Sequence, residues 1–225
     1  EGALPPVLSD AQALSTSAGH TLAINGDGTV SAWGIDAYEQ STPPPGLNGV
    51  IGVAAGNYHS LALRPNGTVV AWGYDNYGQS TVPSGLADVI QVAAGANSSF
   101  ALRSDGTVVG WGTFLPGLVD PPDGLTDVVE IRAGSSFTLA LRADGTVVAW
   151  GRNLYGERDV PNGLADVVAI AAGAHHSLAL RADGTVVGWG DVDAPPAGLT
   201  DVVAIAAGGG HGLALRADGT VAAWG

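Results

Sequence analysis

Leu139-Ala-Leu-Arg-Ala-Asp-Gly-Thr-Val-Val-Ala-Trp-Gly151 is the stretch of this 225-residue chain that determines its fold. Two short segments, 139–142 and 146–150, flank an Asp-Gly dipeptide, and their apolar residues alternate as they do in β-strands. Asp-Gly between two such segments predicts a tight β-hairpin. We expect a type I′ turn, because its twist matches that of the strands it joins.

The same pattern occurs six times along the chain, which identifies a repeat protein. Trp-Gly ends each copy, at Trp33, Trp72, Trp111, Trp150, Trp189 and Trp224, with spacings of 39, 39, 39, 39 and 35 residues. Each copy contains three candidate strands, which in the fifth copy are residues 166–172, 177–181 and 185–189. Units of three strands cannot cover both of their faces, so they stack and bend into a ring. The sequence therefore predicts an all-β, closed β-propeller.

We expect one domain, residues 1–225, made of six blades of about 39 residues, with repeats that end near residues 34, 73, 112, 151, 190 and 225. The tryptophans are expected to fill the spaces between blades, each burying on the order of 200 Å². Residues 4–6 resemble residues 194–196, so the N-terminal segment is expected to complete the last blade. The chain begins at Glu1 and contains no methionine, which indicates a processed or excised segment. If residues are missing, a seventh blade is expected.

Charge and composition exclude several classes of function. The net charge is −13 and all eight basic residues are arginine, which argues against binding to nucleic acid or anionic lipid. No apolar run approaches the roughly 20 residues that a membrane-spanning helix needs. Without cysteine, disulfides and thiolate metal sites are impossible. The lysine-free composition resembles that of high-GC bacterial proteins, and we expect an extracellular or periplasmic location.

Gly56-Asn-Tyr-His-Ser-Leu-Ala-Leu-Arg64, followed by Gly67-Thr-Val-Val-Ala-Trp-Gly73, resembles the signature of the RCC1-repeat family. The continuation, residues 74–83, is similar to the loop of the short-bladed bacterial type, to which the secreted β-lactamase inhibitory protein II belongs. The resemblance covers essentially the whole chain and implies a β-propeller. In the eukaryotic RCC1 protein the fold serves as an exchange factor for a small GTPase and binds chromatin, but this acidic chain lacks the basic surface that chromatin requires.

We interpret the chain as a monomeric, non-catalytic protein-binding or scaffold β-propeller that uses variable loops on one face. One alternative is a secreted inhibitor of a serine β-lactamase or penicillin-binding protein. The resemblance then implies aromatic anchors in the loops between first and second strands, where this chain has only Tyr58 and Phe137. A glycan-binding propeller is a third hypothesis. It would require the same aromatic residue in most copies, and the loop aromatics differ from copy to copy.

The candidate partner-binding residues are aromatic and arginine side chains of the variable loops. They are Tyr58, Tyr74, Tyr77, Phe114, Phe137, Arg152 and Tyr155. Tyr74, Phe114 and Arg152 are favoured because the loops after Trp-Gly vary most, and the first of these loops also contains Tyr38. Tyr77 and Tyr155 share a repeated Tyr-Gly turn, which equally predicts packing on their own blades.

A recurrent histidine is interpreted as structural. It occurs at His20, His59, His176 and His211 and is replaced by Ser98 and Phe137 in the other copies. Zinc ligands all lie about 2 Å from one ion, which residues on separate blades rarely achieve. We therefore expect these rings to bond to backbone of their own or an adjacent blade, and we expect no metal or cofactor.

Acidic and nucleophilic residues provide no catalytic constellation. Asp88, Asp127, Asp166 and Asp201 precede first strands and are expected to cap turns by accepting backbone N–H bonds. Ser60 adjoins His59, but neighbours on a strand point to opposite faces, so they cannot form a catalytic pair. The sequence therefore does not predict an enzyme.

Overall fold

The computed structural model describes residues 10–113 and 117–225, and its strands form six sheets. Each sheet is a blade of three consecutive antiparallel strands, which confirms the predicted all-β architecture of six short blades. The chain divides into two compact units, residues 1–119 and 120–225. Within the described residues 10–113 and 117–225, no helix is long and apolar enough to span a membrane.

The first unit contains blades 1 to 3. Its strands are β1 (Ala13–Thr16), β2 (His20–Ile24) and β3 (Val30–Gly34) in blade 1, β4 (Gly52–Ala55), β5 (His59–Leu63) and β6 (Val69–Gly73) in blade 2, and β7 (Val89–Ala94), β8 (Ser98–Arg103) and β9 (Val108–Gly112) in blade 3.

The second unit contains blades 4 to 6. Its strands are β10 (Val128–Ala133), β11 (Phe137–Arg142) and β12 (Val147–Gly151) in blade 4, β13 (Val167–Ala172), β14 (His176–Arg181) and β15 (Val186–Gly190) in blade 5, and β16 (Val202–Ala207), β17 (Gly212–Arg216) and β18 (Val221–Trp224) in blade 6.

The hairpin that joins the second and third strands of each blade is not the type I′ turn expected from Asp-Gly. In blade 2 the N–H of Gly67 donates to the carbonyl of Arg64, and the N–H of Arg64 donates to the carbonyl of Thr68. Gly67 has a φ of 75°, whereas Asn66 is not among the residues with positive φ. A three-residue loop with one left-handed glycine is a type I turn with a G1 bulge. The Asn66 side chain supports this loop by accepting from Thr68 Oγ1, at 2.7 Å.

Tryptophan packs between neighbouring blades within each unit, as the sequence predicts. Trp72 of blade 2 is 7% exposed and belongs to a core cluster with Leu22 and Ile24 of blade 1. Trp189 of blade 5 is 8% exposed and packs with Leu139 and other residues of blade 4. Truncating such a tryptophan to alanine is expected to cost about 3–5 kcal/mol.

Two of the recurrent histidines link adjacent blades, as expected for a structural role, but their partner is a side chain. His20 Nε2 lies 2.7 Å from Ser60 Oγ of the next blade, and His59 Nε2 lies 2.9 Å from Ser99 Oγ. Both rings are almost completely buried. The hydrogen bond between imidazole and serine hydroxyl therefore joins each of these blades to the next.

The aspartates that precede first strands do not cap turns with their carboxylates, contrary to expectation. All four have left-handed backbone, with φ between 57° and 60°. Their main-chain carbonyls accept hydrogen bonds instead. Asp88, for example, accepts from the N–H of Ser104, and Asp166 accepts from the N–H of Ala182. Aspartate suits this position because it tolerates the left-handed region better than most residues.

Candidate functional site

The loops that follow Trp-Gly are held in place by a buried amide or carboxylate. Gln40 and Gln79 are 0% exposed, and Glu157, at the same position in blade 4, is 1% exposed. Each side chain accepts from the backbone N–H of the tyrosine two residues before it. Tyr38 N–H donates to Gln40 Oε1 at 2.9 Å, and Tyr77 N–H donates to Gln79 Oε1 at 3.0 Å. These contacts fix the backbone at the tip of the loop.

The main-chain carbonyl of the same residue ties the loop to the following blade. The carbonyl of Gln40 accepts from Trp72 Nε1 at 3.0 Å and from Ser60 Oγ at 2.8 Å. The carbonyl of Glu157 accepts in the same way from Trp189 and Ser177. A tyrosine on such a loop is therefore presented from a rigid support, which lowers the entropy lost when a partner binds.

Four tyrosines of the first unit pack together on these loops, and we call them the tyrosine cluster: Tyr38, Tyr58, Tyr74 and Tyr77. Tyr38 lies on the loop after β3, Tyr58 on the loop between β4 and β5, and the other two on the loop after β6. The ring centroids of Tyr38 and Tyr74 are 4.6 Å apart, and those of Tyr38 and Tyr58 are 5.6 Å apart. Tyr77 contacts Tyr74 at 5.9 Å.

The tyrosine cluster is open to solvent and has acidic neighbours in the sequence. Tyr38, Tyr58 and Tyr77 are 47%, 42% and 38% exposed, and Tyr74 is half-buried. Asp36, Glu39 and Asp75, on the same loops, are exposed. Burial opposes ionisation of Asp36, but hydrogen bonds from Thr42 and Ser41 outweigh it and lower the pKa of the carboxyl. The loops therefore present aromatic surface with carboxylates nearby.

The second unit pairs aromatic rings in the same manner. Tyr155, on the loop after β12, is 50% exposed, and its ring centroid is 4.7 Å from that of His175 in the next blade. Arg152 and Leu154 on the same loop are exposed, Leu154 at 63%. Tyr155 and Arg152 thus lie on one loop, and the His175 ring packs against the ring of Tyr155.

Two of the predicted partner-binding residues do not join these groups. Phe137 is only 2% exposed and belongs to the core of blades 4 and 5, so its prediction as a partner contact is corrected. It occupies the position of the recurrent histidine, where the ring is buried between blades. Phe114 lies outside the described residues.

Tyr38 was not among the predicted partner-binding residues, yet it contacts both Tyr58 and Tyr74. A signal for it exists in the sequence. The Gln40 carbonyl meets Ser60, and Tyr155 meets His175, so residues 20 apart face each other across a blade junction. Tyr38 and Tyr58 have the same separation. Applying this 20-residue separation to the loop residues would have predicted the contact between Tyr38 and Tyr58.

No metal centre is formed within the described ranges, where no group of three or more His, Asp or Glu side chains could hold an ion. Burial lowers the pKa of His59 to about 4 and also lowers the pKa of His20 and His176. These imidazoles are therefore neutral near pH 7 and act as polar spacers between blades.

Comparison with protein families gives one match, to the regulator of chromosome condensation (RCC1) repeat. It covers residues 50–79, 89–113, 128–157, 167–191 and 202–225, which together exceed half of the chain and correspond to blades 2 to 6. No curated protein matches the sequence.

Three solved structures illustrate the similarity in fold. The ectodomain of the Physcomitrella patens receptor kinase CR4 aligns with a TM-score of 0.83 at 24% identity, over 100% of this chain and 63% of that one. Yeast RCC1 (Prp20), in its complex with Kap60, aligns with a TM-score of 0.78 at 22% identity, over 94% of this chain and 69% of that one. Human WBSCR16 aligns with a TM-score of 0.77 at 20% identity, over 98% and 77% of the two chains. The chain thus spans less than two thirds of the CR4 ectodomain.

Proposed function

This chain belongs to the family of RCC1-repeat proteins, and from that premise we propose that it is a non-catalytic protein-binding module whose partner contacts the tyrosine cluster. The observation that supports this most directly is the packing of four tyrosines from two neighbouring blades, three of them more than a third exposed. Tyrosine gives a large contact area at low entropic cost and is enriched at binding hot spots.

The charge of the chain indicates the kind of surface that fits the cluster. The net charge is −13, and exposed carboxylates lie on the same loops as the tyrosines. Arginine and lysine are attracted to carboxylates and also to the faces of aromatic rings. We therefore propose a partner with a basic surface. Its affinity for the chain should fall as salt is added, because the charges involved are exposed and screened.

The family offers a precedent for protein partners, since yeast RCC1 has been crystallised with Kap60 bound. The inhibitor hypothesis has less support, because Phe137, one of its two expected anchors, is buried. The glycan hypothesis requires the same aromatic residue in most blades, and the tyrosine that precedes the anchoring side chain occurs in three of the six copies, as Tyr38, Tyr77 and Tyr155. The short-bladed inhibitor type, a bacterial source and an extracellular or periplasmic location stay predictions from the sequence.

Affinity capture from extracts of the source organism, quantified by mass spectrometry, tests the proposal. We expect a protein that wild-type chain captures and that the Tyr38→Ala/Tyr58→Ala/Tyr74→Ala variant loses. With that partner purified, Tyr58→Ala alone should weaken binding by about 30-fold, the equivalent of about 2 kcal/mol for a hot-spot residue.

Tyr155→Ala is the matched control, since Tyr155 occupies the same loop position as Tyr38 with similar exposure. It should leave capture unchanged. Equal capture by wild type and triple variant would contradict a role for the cluster. If the captured protein is a serine β-lactamase or penicillin-binding protein whose activity the chain blocks, the inhibitor hypothesis would replace the general one.

A further inference from the structure

Asparagine followed by glycine occurs four times in the chain, at Asn25, Asn48, Asn66 and Asn162. This pair is chemically labile, because glycine has no side chain to keep its backbone nitrogen away from the asparagine side chain. When that nitrogen attacks Cγ, a C–N bond forms, the bond from Cγ to Nδ2 breaks, and ammonia leaves with the glycine N–H proton. Water then opens the resulting succinimide at either carbonyl, which gives aspartate or isoaspartate.

The hairpin turn of blade 2 protects Asn66 from this reaction. The Asn66 side chain accepts from Thr68 Oγ1 at 2.7 Å. The N–H of Gly67 donates to the carbonyl of Arg64 at 3.0 Å. Both reacting groups are therefore engaged, and the turn must open before the Gly67 nitrogen can reach Asn66 Cγ.

Asn25 is held in a similar way at the start of the hairpin turn of blade 1. Its Nδ2 donates to Thr29 Oγ1 at 2.9 Å and to Ser31 Oγ at 3.0 Å. The N–H of Gly26 donates to Asp10 Oδ2 at 3.2 Å. This pair too must lose hydrogen bonds before a succinimide can form.

Asn48 is exposed, but the segment around it is fixed. Leu47 and Val50 are buried, and the N–H of Val50 donates to the carbonyl of Gly28 at 2.9 Å. A Cβ added to Gly28 would lie 3.2 Å from the backbone nitrogen of Gly49. Movement of that nitrogen towards Asn48 Cγ therefore disturbs the packing of the segment on the hairpin of blade 1.

Asn162 and Gly163 are the central residues of a four-residue turn, and both are exposed. The N–H of Leu164 donates to the carbonyl of Pro161 at 3.1 Å, and Gly163 has a φ of 78°, which makes this a type II turn. Among the described residues, neither the N–H of Gly163 nor the Asn162 side chain has a hydrogen-bond partner. Both reacting groups are thus available without prior opening of another contact.

The equivalent turns before other blades show that the aspartate product fits. Their second residue is Ser84 before blade 3, Asp123 before blade 4 and Ala197 before blade 6. Each of these residues is followed by a glycine with a φ of 77–78°. The turn therefore accepts aspartate at position 162, whereas isoaspartate lengthens its backbone by one carbon atom.

We propose that Asn162 is a site of spontaneous deamidation and that its turn makes it the fastest of the four sites in the folded chain. The reaction consumes water and releases ammonia, so it needs no enzyme and no cofactor. Each conversion adds one negative charge to a chain whose net charge is already −13. The protein thereby becomes a mixture of asparagine, aspartate and isoaspartate forms at this turn.

Peptide mapping by mass spectrometry tests the proposal on the whole chain, aged in warm, mildly alkaline buffer in which it stays folded. Asn162 should convert more than about tenfold faster than Asn25 and Asn66, whose turns must open first. It should also convert faster than Asn48. An isoaspartate-specific methyltransferase should label the peptide that contains position 162. In concentrated urea the four rates should become similar, since the turns and their hydrogen bonds are lost.

Asn162→Ser is the matched control, because Ser84 occupies the same position in its own turn. This variant should lose the fast conversion and keep the rates of the other three sites. Asn162→Asp should unfold in urea like wild type and should elute on anion exchange with an acidic form of the aged wild-type chain.

A rate at Asn162 that is no higher than the rate at Asn48 or Asn66 in the folded chain would overturn the proposal. An advantage of Asn162 that is equally large in urea would do the same, because sequence and not the turn would then set the rate. Loss of the fold in Asn162→Asp would show that the turn does not accept the product.

Discussion

At the scale of single residues, the buried histidine shows how a polar group serves as a spacer. His59 is 0% exposed, and its Nε2 is within hydrogen-bond distance of Ser99 Oγ in the next blade. Phe137 fills the same position in blade 4 with an apolar ring. A buried ring, polar or apolar, thus fills this position in both blades, whereas Ser98 occupies it in blade 3. The imidazole brings a dependence on pH that phenylalanine lacks.

Acid should destabilise the chain through these histidines. The folded-state pKa of His59 is about 4, below the ordinary 6.5, so the unfolded chain takes up the proton first. Stability is therefore complete above pH 6.5 and is lost as the pH falls towards 4, by up to about 3 kcal/mol for this residue. Urea unfolding at a series of pH values measures this loss of unfolding free energy. His59→Phe should make the unfolding free energy depend less steeply on pH.

Burial raises the pKa of Glu130, which acts in the opposite direction, so the informative quantity is the difference between His59→Phe and wild type. If the unfolding free energy of His59→Phe depends on pH as steeply as that of wild type, His59 is not a source of the acid destabilisation.

At the scale of elements, the hairpin turn of blade 2 is constrained both by its own backbone and by the start of the next blade. Gly67 has a φ of 75°, and a Cβ added to it would lie 3.0 Å from the Cα and N of Asp88. The turn thus packs directly on the residue that precedes the first strand of the next blade. Turn geometry and blade packing depend on the same glycine.

Two glycine substitutions separate these contributions. Gly85 has a φ of 78°, and beyond its chain neighbours no atom lies within 4 Å of where a Cβ would be, so Gly85→Ala should cost only the left-handed backbone, about 1–2 kcal/mol. Gly67→Ala should cost more, because the added methyl group also meets backbone of Asp88. Chemical denaturation of the two variants measures the difference. Equal losses would mean that the neighbouring backbone moves aside at no cost.

Local sequence patterns predicted the strands well, because apolar alternation and a recurrent Trp-Gly fix the strand boundaries in each copy. The turn type was wrong because Asp-Gly suits both a two-residue turn and the last two positions of a three-residue loop. The buried position of Phe137 was missed because its loop was compared with binding loops instead of with the histidine that recurs there. The tyrosine cluster depends on contacts across blades, which a pattern within one copy does not contain.

At the scale of the whole molecule, each blade is stabilised chiefly by its neighbours, as in other repeat proteins. Within the second unit, Leu178 of blade 5 is fully buried, whereas Leu213, its counterpart in blade 6, is half-exposed. Stability should therefore differ between blades of nearly identical sequence.

Hydrogen exchange measures that difference. In dilute solution the amides of β17 should exchange more than about tenfold faster than those of β14, because the side chains of β17 are less buried than those of β14. Equal protection of the two strands in dilute solution would contradict a local difference in stability.

The anchoring of the loops by Gln40, Gln79 and Glu157 has a consequence for how new specificities arise. The fold takes from the loops of Gln40 and Glu157 a backbone carbonyl and one buried polar side chain, and both of these contacts use main-chain atoms of the loop. The side chains of Tyr38 and Tyr155 can therefore change by mutation while the anchoring contacts are kept. A combinatorial library randomised at these two sites should contain mostly folded members, and selection could then act on recognition alone.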